Sequence, residues 1–493
     1  MLTFHSNIPL TLRLWFDRRW SALHRRTETQ SGLPRCLEAA AAYPDFVRHC
    51  PVTMKFVPTL KLLDWSVMPG PSRHWFGAEP VSLATYIAAF LVKLDQGLPT
   101  NAQLHRFLVN HPALIWALGF PLKPADTHYG FDPAASLPNH RHFNRVLSHL
   151  PDTVLQQLLD RQVTWLQKRW PDSFGQTIAL DTKHILAWVK ENNRKQYIKE
   201  GRFDKTRQPA GDSDCKLGCK RRHNQNTVSI TTPTKEGKPA QGLPVSVGEF
   251  YWGYASGIVV TKVPGVGEFV LAELTQTFDK GDTTYFFPLM AQVEQRLGFR
   301  PRYGALDAGF DAFYIYDYFH SPDHDGFAAV PLSEKAGTPT RRFSPDGLPL
   351  CAADLPMPLK FTFRDNTSAI IPYQRAKHVC PLLFPEPNGQ SCPIAHKNWA
   401  KGGCVTSLAN TPGARIRIQL QRDSPQYKQV YDQRTAVERI FSQALALGIE
   451  RPKLRNQLAI AHQNTLTYLL INLRAMARLL ATTPKLEQTS SHK

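Results

Sequence analysis

Two short apolar segments of the sequence each end in an aspartate. Residues 177–181 and 303–307 both read as buried strands, which places Asp181 and Asp307 at strand ends. A single aspartate at such a position is most often a turn former. In α/β sheets, however, the carboxyl ends of the strands border one crevice, and clustered oxygens are the ligands that Mg²⁺ prefers. The pair therefore predicts a metal site at one edge of a sheet.

A third acid lies on a predicted helix closer to the C-terminal end. Tyr431, Arg434 and Glu438 are spaced so that they share one helical face. The simplest interpretation is an ordinary Arg–Glu pair on the surface. Ala436 and Ile440 lie on the opposite side, so the helix is expected to pack on the sheet with its polar face toward the strand ends. Glu438 then completes a set of three carboxylates.

These residues lie in a region where strand and helix patterns alternate, which predicts an α/β core with covered sheet faces. Asp282 is predicted to cap the helix that follows it. Residues 336–425 break the alternation with Pro- and Gly-rich sequence, so they are predicted to form a β-rich insertion. The predicted strands are 177–181, 250–262, 267–274, 303–307 and 326–332, and the predicted helices are 282–297, 312–319, 433–447 and 459–480.

The N-terminal third has a mostly helical pattern. Helices are predicted at 83–94, 101–109 and 153–170, with proline-rich connectors between them. The basic segment 136–145 is either the second helix of a DNA-reading unit or a capped surface helix. The predicted domains are an N-terminal arm and helical DNA-binding domain (1–168), a core in two parts (169–335 and 426–485) and the insertion between them (336–425).

Three segments of the chain resemble the carboxylate motifs of DDE transposases of bacterial insertion sequences. They are residues 178–182, residues 305–311, and Tyr431-x2-Arg434-x3-Glu438, which is similar to the Tyr-Arg-Glu-Lys signature of one large group. The aromatic strand at 250–254 is similar to a further family element. The last basic residue of the signature falls on Leu445 here, so Arg451 or Lys453 is its candidate substitute.

The resemblance implies an RNase H-like catalytic core with a β-rich insertion, preceded by a helical N-terminal domain. It also implies cleavage of double-stranded DNA at element ends and strand transfer into target DNA, with two Mg²⁺ ions, or Mn²⁺ in their place. Asp181 is the candidate to bridge both ions, while Asp307 and Glu438 each complete one. Arg434 and Tyr431 are expected to hold phosphate. A dimer in the synaptic complex is a further expectation from the family.

The charge of the chain points to a polyanionic partner. Lys and Arg total 59 against 40 Asp and Glu, a formal net charge of +19, and nucleic acid is the usual partner for such a balance. The excess is concentrated between 183 and 223, where twelve Lys or Arg accompany five acids. A solvated face is the bland alternative, but four residues of this run are predicted to contact the DNA backbone: Lys216, Lys220, Arg221 and Arg222.

The cysteines and the termini suggest a location. No secretory signal and no window of about 18 apolar residues is present, so the protein is expected in the cytoplasm, associated with the nucleoid and not with a membrane. The eight cysteines are expected to be reduced. Zn²⁺ is an alternative to buried thiols for four residues of the insertion, although they lack a Cys-x2-Cys knuckle. These residues are Cys380, Cys392, His396 and Cys404.

Three other functions remain open at this stage. A metal-dependent nuclease of the same fold cuts without joining, and no sequence feature separates it from a transposase. A catalytically inactive DNA-binding protein derived from a transposase does not need all three acids. A hydrolase that uses a carboxylate pair on a small substrate needs neither a divalent metal nor DNA.

Overall fold

A computed structural model describes most of the chain, namely residues 32–69, 81–193, 195–198, 201–221, 248–320, 326–333, 341–366 and 370–490. The chain divides into two compact units, Met1–Leu158 and Leu159–Lys493. This division falls within a helix, whereas the sequence pattern suggested a boundary at 168. Within the described ranges, no helix has both the length and the apolar character needed to cross a membrane.

The first unit is helical where it is described. Buried apolar side chains line α3 along its whole length, while α4 begins with a capping box in which Thr100 and Gln103 bond each other's backbone amides. Its helices are α1 (Asp45–Arg48), α2 (Pro51–Lys61), α3 (Leu83–Asp95), α4 (Asn101–Val109), α5 (Pro112–Leu118), α6 (His140–Ser148) and the first part of α7 (Asp152–Gln167).

Helix α6 contains most of the basic segment singled out in the sequence. The Asn139 side chain caps it by accepting a hydrogen bond from the Arg141 amide at 2.9 Å. Phe143 is buried, whereas Arg141 and Arg145 are exposed on the outer side. This amphipathic pattern fits both a capped surface helix and a DNA-reading helix, so neither interpretation is favoured.

The second unit is built on a six-stranded mixed sheet. Strand β3 is central to the antiparallel part, because β1, β2 and β4 all pair with it. Strands β1, β5 and β6 run parallel to one another. The sheet consists of β1 (Thr177–Leu186), β2 (Lys216–Arg221), β3 (Gly248–Val263), β4 (Gly267–Thr277), β5 (Tyr303–Leu306) and β6 (Phe327–Ala329).

Helices cover both faces of this sheet, as the alternating pattern predicted. The Ser256 hydroxyl of β3 lies 3.0 Å from the Tyr468 hydroxyl of α13. The next residue, Gly257, faces the other way, and a Cβ there would lie 2.4 Å from the Tyr285 ring at the start of α8. The helices of this unit are the rest of α7, α8 (Phe286–Leu297), α9 (Phe313–Phe319), α10 (Pro412–Gln419), α11 (Pro425–Tyr431), α12 (Thr435–Ala446) and α13 (Gln457–Ser490).

A separate antiparallel sheet occupies the region predicted as a β-rich insertion. Its order is β7 (Leu359–Asp365), β8 (Tyr373–Val379) and β9 (Val405–Ala409). The insertion leaves the core after β6 and returns through α10 and α11. It therefore separates the strand that precedes Asp307 from the helix that carries Glu438.

Candidate active site

Asp181 and Asp307 follow the last paired residues of two neighbouring parallel strands. Leu180 of β1 lies opposite Leu306 of β5, and each aspartate comes next along its strand. Asp307 ends its strand, and its carboxylate accepts a hydrogen bond from the Gly309 amide at 2.8 Å. The structure thus brings together the two acids that the strand-end pattern singled out.

Strand β1 itself does not end at Asp181, and the expectation that it does was wrong. The strand continues to Leu186, because β3 still pairs with it where β5 has stopped. Asp181 lies opposite Ile258 in that antiparallel ladder. The Asp181 carboxylate therefore projects from β1 at a point where β3 still pairs with the strand on one side and β5 no longer pairs with it on the other.

A third aspartate, Asp282, lies beside this pair. Its Oδ1 accepts a hydrogen bond from the Thr182 hydroxyl at 2.7 Å. A Cβ built on Gly309 would lie 2.9 Å from Asp307 Oδ1 and 3.1 Å from Asp282 Oδ2, so this glycine lies between the two carboxylates. The sequence predicted that Asp282 caps a helix, but it makes no capping bond there; it opens a short 3-10 turn and faces the strand ends instead.

Burial and neighbouring aspartates raise the pKa values of Asp181 and Asp307. Burial is the main cause for Asp181, whose pKa is raised to about 7, and the charges of Asp307 and Asp282 raise it further. The Thr182 amide and Arg434 act in the opposite direction. Burial and the charge of Asp282 likewise raise the pKa of Asp307. The negative charge of these aspartates is therefore only partly neutralised by the nearby Arg434 and backbone amides.

Arg434 links Asp181 to the helix that carries Glu438. Its Nη1 lies 3.5 Å from Asp181 Oδ2, and its Nη2 donates to Glu438 Oε1 at 2.5 Å. Glu438 lies in the first turn of α12, and its side chain is 52% exposed. Arg434 and Glu438 thus form the predicted pair, and Arg434 also contacts Asp181.

The predicted helix that carries Tyr431, Arg434 and Glu438 is interrupted. Helix α11 ends at Tyr431, a 3-10 turn spans Asp432–Arg434, and α12 starts at Thr435. Residues three apart in a 3-10 turn lie on the same side, and Tyr431 is close enough to Arg434 to act on the pKa of its guanidinium. The Tyr431 ring also stacks on Tyr427, with 5.8 Å between the ring centroids.

The apolar side of α12 holds the helix on the sheet, as predicted. Its buried side chains include Ala436, Val437, Ile440 and Phe441. The position of the missing signature residue, Leu445, is 38% exposed and supplies no charge.

The donor set suits Mg²⁺ in chemistry, although not in its present arrangement. Carboxylate oxygens are the hard ligands that this ion prefers, and a cation would relieve the repulsion that raises the pKa values of Asp181 and Asp307. Across the described ranges, no three Asp, Glu, His or Cys side chains are gathered closely enough to hold a metal ion.

Lys216, one of the four predicted DNA-backbone contacts, lies away from the acids. Lys216 begins β2 opposite Gly253 of β3, five residues from the partner of Asp181, or about 17 Å along the strand. Lys220 and Arg221 continue β2, but their side chains lie outside the described part, as does Arg222 entirely. Their binding to DNA stays a prediction.

The cysteine neighbours in the insertion differ from the predicted set of Zn²⁺ ligands. The Cys404 thiol hydrogen bonds with Cys380, and burial together with Cys380 and Cys351 raises the pKa of Cys404 to about 12. Cys351 was not among the predicted ligands. Cys392 and His396 lie on the preceding loop, where the His396 ring accepts a hydrogen bond from the backbone two residues on. All eight cysteines are free thiols, and Zn²⁺ binding stays a prediction.

Comparison with models of known protein families gives no match, and no curated protein matches the sequence significantly. The acidic cluster is therefore interpreted from its own geometry and chemistry. Its defining members are Asp181, Asp282 and Asp307 at the edge of the sheet, with Arg434 of the 3-10 turn and Glu438 of α12 beside them.

The raised pKa of Asp181 predicts a stability effect that varies with pH. The unfolded carboxyl ionises near pH 4 and the folded one near 7, so the native state binds more protons in between and loses stability as pH rises through this window. Asp181→Asn is neutral throughout. Its melting temperature should therefore rise relative to the unmodified protein between these pH values and level off above them.

Thermal melts over a pH series without divalent metal test this. Asp172→Asn, on an exposed turn before β1, is the control and should show no such trend. A difference between Asp181→Asn and the unmodified protein that does not change with pH would contradict the electrostatic account of the cluster.

Proposed function

We propose that this protein is a transposase of the DDE superfamily, which cleaves DNA at the ends of an insertion sequence and joins them to target DNA. The observation that carries the proposal is the acidic cluster itself. Asp181 and Asp307 come from adjacent parallel strands, and Glu438 faces them from a later helix through Arg434.

The topology supports an RNase H-like core as part of this proposal. Three antiparallel strands in the order β4–β3–β1 are followed by the parallel strands β5 and β6, the arrangement that such a core requires. The acids occupy the central strand, its parallel neighbour and a C-terminal helix. The separate β7–β8–β9 sheet falls between the second and third acid, where the family resemblance places an insertion.

Asp181, Asp307 and Glu438 are the residues that would hold Mg²⁺, or Mn²⁺ in its place, and the ion would activate a water or a 3′-hydroxyl and stabilise the leaving oxygen. Arg434 has the planar fork that binds a phosphate through two hydrogen bonds. A phosphate that binds the Arg434 guanidinium would replace Glu438 and Asp181 as its partners. Arg434 thus offsets part of the charge of these two carboxylates before the substrate arrives.

The net charge of +19 supports a nucleic-acid substrate, because phosphate neutralisation supplies most of the affinity in such complexes. In this proposal the protein acts on double-stranded DNA in the cytoplasm, associated with the nucleoid. Holding two element ends at once would require a dimer in the synaptic complex.

The proposal is tested with the full chain and a linear DNA that carries the sequences flanking its coding region. With Mg²⁺ we expect nicks at the element ends and, after longer incubation, products joined to a target plasmid. Cleavage without joining would favour a nuclease of the same fold. Binding without cleavage in any divalent metal would favour an inactive DNA-binding protein.

Asp282 gives a more specific prediction. Asp282→Asn keeps an oxygen that can accept the Thr182 hydroxyl but removes one negative charge beside Asp307. Because partners of this kind tune metal affinity, the Mg²⁺ concentration for half-maximal cleavage should rise by about 10-fold, with little change in the rate at saturation. A Mg²⁺ titration of the cleavage rate measures both quantities.

Asp279→Asn is the matched control, since Asp279 lies three residues earlier and bonds the Thr277 hydroxyl on the surface. It should leave the titration unchanged. An equal shift in both variants, or none in Asp282→Asn, would remove Asp282 from the site.

A further inference from the structure

A large cleft lies along the continuation of β1 beyond the acidic cluster. Its volume is about 860 Å³, at the upper end of the range for ligand sites. Its walls are residues 183–193 and 195–196 at the end of β1, 249–251 at the start of β3, and 450–455 after α12, together with Phe203. We propose that this cleft binds unpaired nucleotides of the DNA strand whose phosphate lies at the acidic cluster, an inference that rests on the proposed function.

The position of the cleft connects it to the acids on two sides. Lys183 lines it and lies two residues beyond Asp181 on β1, about 7 Å farther along the strand. The segment 450–455 follows the helix that carries Glu438. The Leu186 amide donates to the Glu450 carbonyl at 2.8 Å and so joins the two walls. A strand leaving the acids along β1 therefore enters the cleft.

The charge of the lining suits a phosphate backbone. Six Lys or Arg side chains line the cleft against two glutamates, Glu249 and Glu450. Cations spaced along a groove neutralise successive phosphates, which supplies affinity without regard to sequence. The basic residues are Lys183, Lys190, Lys195, Arg451, Lys453 and Arg455.

Exposed aromatic rings among these cations point to bases rather than to the backbone of a duplex. Trp188 is 45% exposed and Phe250 is 50% exposed, and both line the cleft. Lys453 Nζ and Arg455 Cζ lie 5.6 Å and 5.2 Å from the Trp188 ring centroid. Every base has a face that can stack on such a ring, but in a duplex these faces are already stacked on each other. The lining therefore fits unpaired nucleotides.

Tyr251 adds a polar group to the same wall. Its ring stacks on Phe278, with 4.4 Å between centroids, and the residue is only 6% exposed. Its hydroxyl is buried and has no hydrogen-bond partner among the described residues. A buried hydroxyl without a partner is costly, and a nucleotide in the cleft could supply the missing acceptor after a small rearrangement.

The inference is tested by fluorescence anisotropy of the full chain with a labelled thymidine oligonucleotide of about 15 nucleotides, and with a duplex of equal length. Both titrations are done in chelator, so that no cleavage is needed. Trp188→Ala should weaken binding of the single strand by about 10-fold and change duplex binding little, whereas Trp188→Phe should keep most of the affinity.

Phe363→Ala is the matched control, because Phe363 is also exposed and lies 5.8 Å from a cation, Arg375, but in the insertion sheet. It should not affect either titration. Equal losses for single strand and duplex in Trp188→Ala, or no loss at all, would overturn the inference while Mg²⁺-dependent cleavage remains. Single-strand binding that depends on Trp188 in a protein that never cleaves would overturn the proposed function and leave the cleft assignment standing.

Discussion

Asp181→Asn is expected to abolish metal-dependent DNA cleavage, slowing it by at least about 1,000-fold, since losing the charge stabilisation of a bound metal costs several kcal/mol of barrier. Asp181 is the acid at the centre of the cluster, beside Asp307 and Arg434. The asparagine keeps the shape of the side chain and removes its charge. Initial rates of plasmid nicking in Mg²⁺ measure the effect.

Glu268→Gln is the matched control for this variant. Glu268 accepts a 2.7 Å hydrogen bond from Arg439, so it also pairs α12 with the sheet, but from β4 and away from the cluster. It should nick at nearly the rate of the unmodified protein. Retained activity in Asp181→Asn would contradict a catalytic role for this acid. An equal loss in both variants would show that the loss comes from a structural effect and not from the chemistry of the cluster.

The second large effect concerns stability. Arg417→Ala should destabilise the protein by about 3–5 kcal/mol, because it leaves a buried carboxylate without its charge partner. The side chain of Asp311 is fully buried and is paired with Arg417, and it also accepts hydrogen bonds from Tyr316 and the Ser333 amide. This ion pair fastens α10 of the returning chain to the segment four residues after Asp307.

Thermal or urea unfolding compares this variant with Arg342→Ala. Arg342 also forms an ion pair, with Asp354, but both side chains are more than half exposed, and such pairs contribute at most about 1 kcal/mol. Arg417→Ala should melt about 6 °C or more below the unmodified protein, and Arg342→Ala within about 3 °C. Similar melting temperatures for the two variants would show that burial of Asp311 does not matter.

Local patterns were sufficient to predict much of the core. The apolar run before Asp181 and the one before Asp307 both lie in strands, as their composition predicted. The buried face of α12 was readable from the positions of Ala436 and Ile440 because a helix repeats every 3.6 residues. Arg434 and Glu438 are four residues apart, so their pairing was also local.

The remaining features depend on tertiary structure. Asp282 has the sequence signature of a helix cap, and only the path of β4 places it beside Thr182. The 3-10 turn between α11 and α12 leaves no mark in the sequence pattern, which predicted a regular helix there. Trp188 lies in a basic run that looks like an ordinary solvated surface, and its cleft appears only when 183–193 meets 450–455.

Among the aromatic residues, Trp252 and Tyr254 illustrate the same limit. Both belong to the aromatic segment 250–254 that the sequence singled out. Both are fully buried, and the Tyr254 hydroxyl donates to Asp212 at 2.8 Å. These two rings therefore pack in the core, whereas the exposed rings of Trp188 and Phe250 line the cleft.

The most direct test of the proposed function is the joining of a pre-cleaved end. A linear DNA with the element end and a free 3′-hydroxyl is incubated with a supercoiled target plasmid and Mg²⁺, and joined products are resolved on a gel. The account predicts joined products with the unmodified protein and with Glu268→Gln, and none with Asp181→Asn or after chelation. Joined products that persist in Asp181→Asn, or that form without divalent metal, would contradict it.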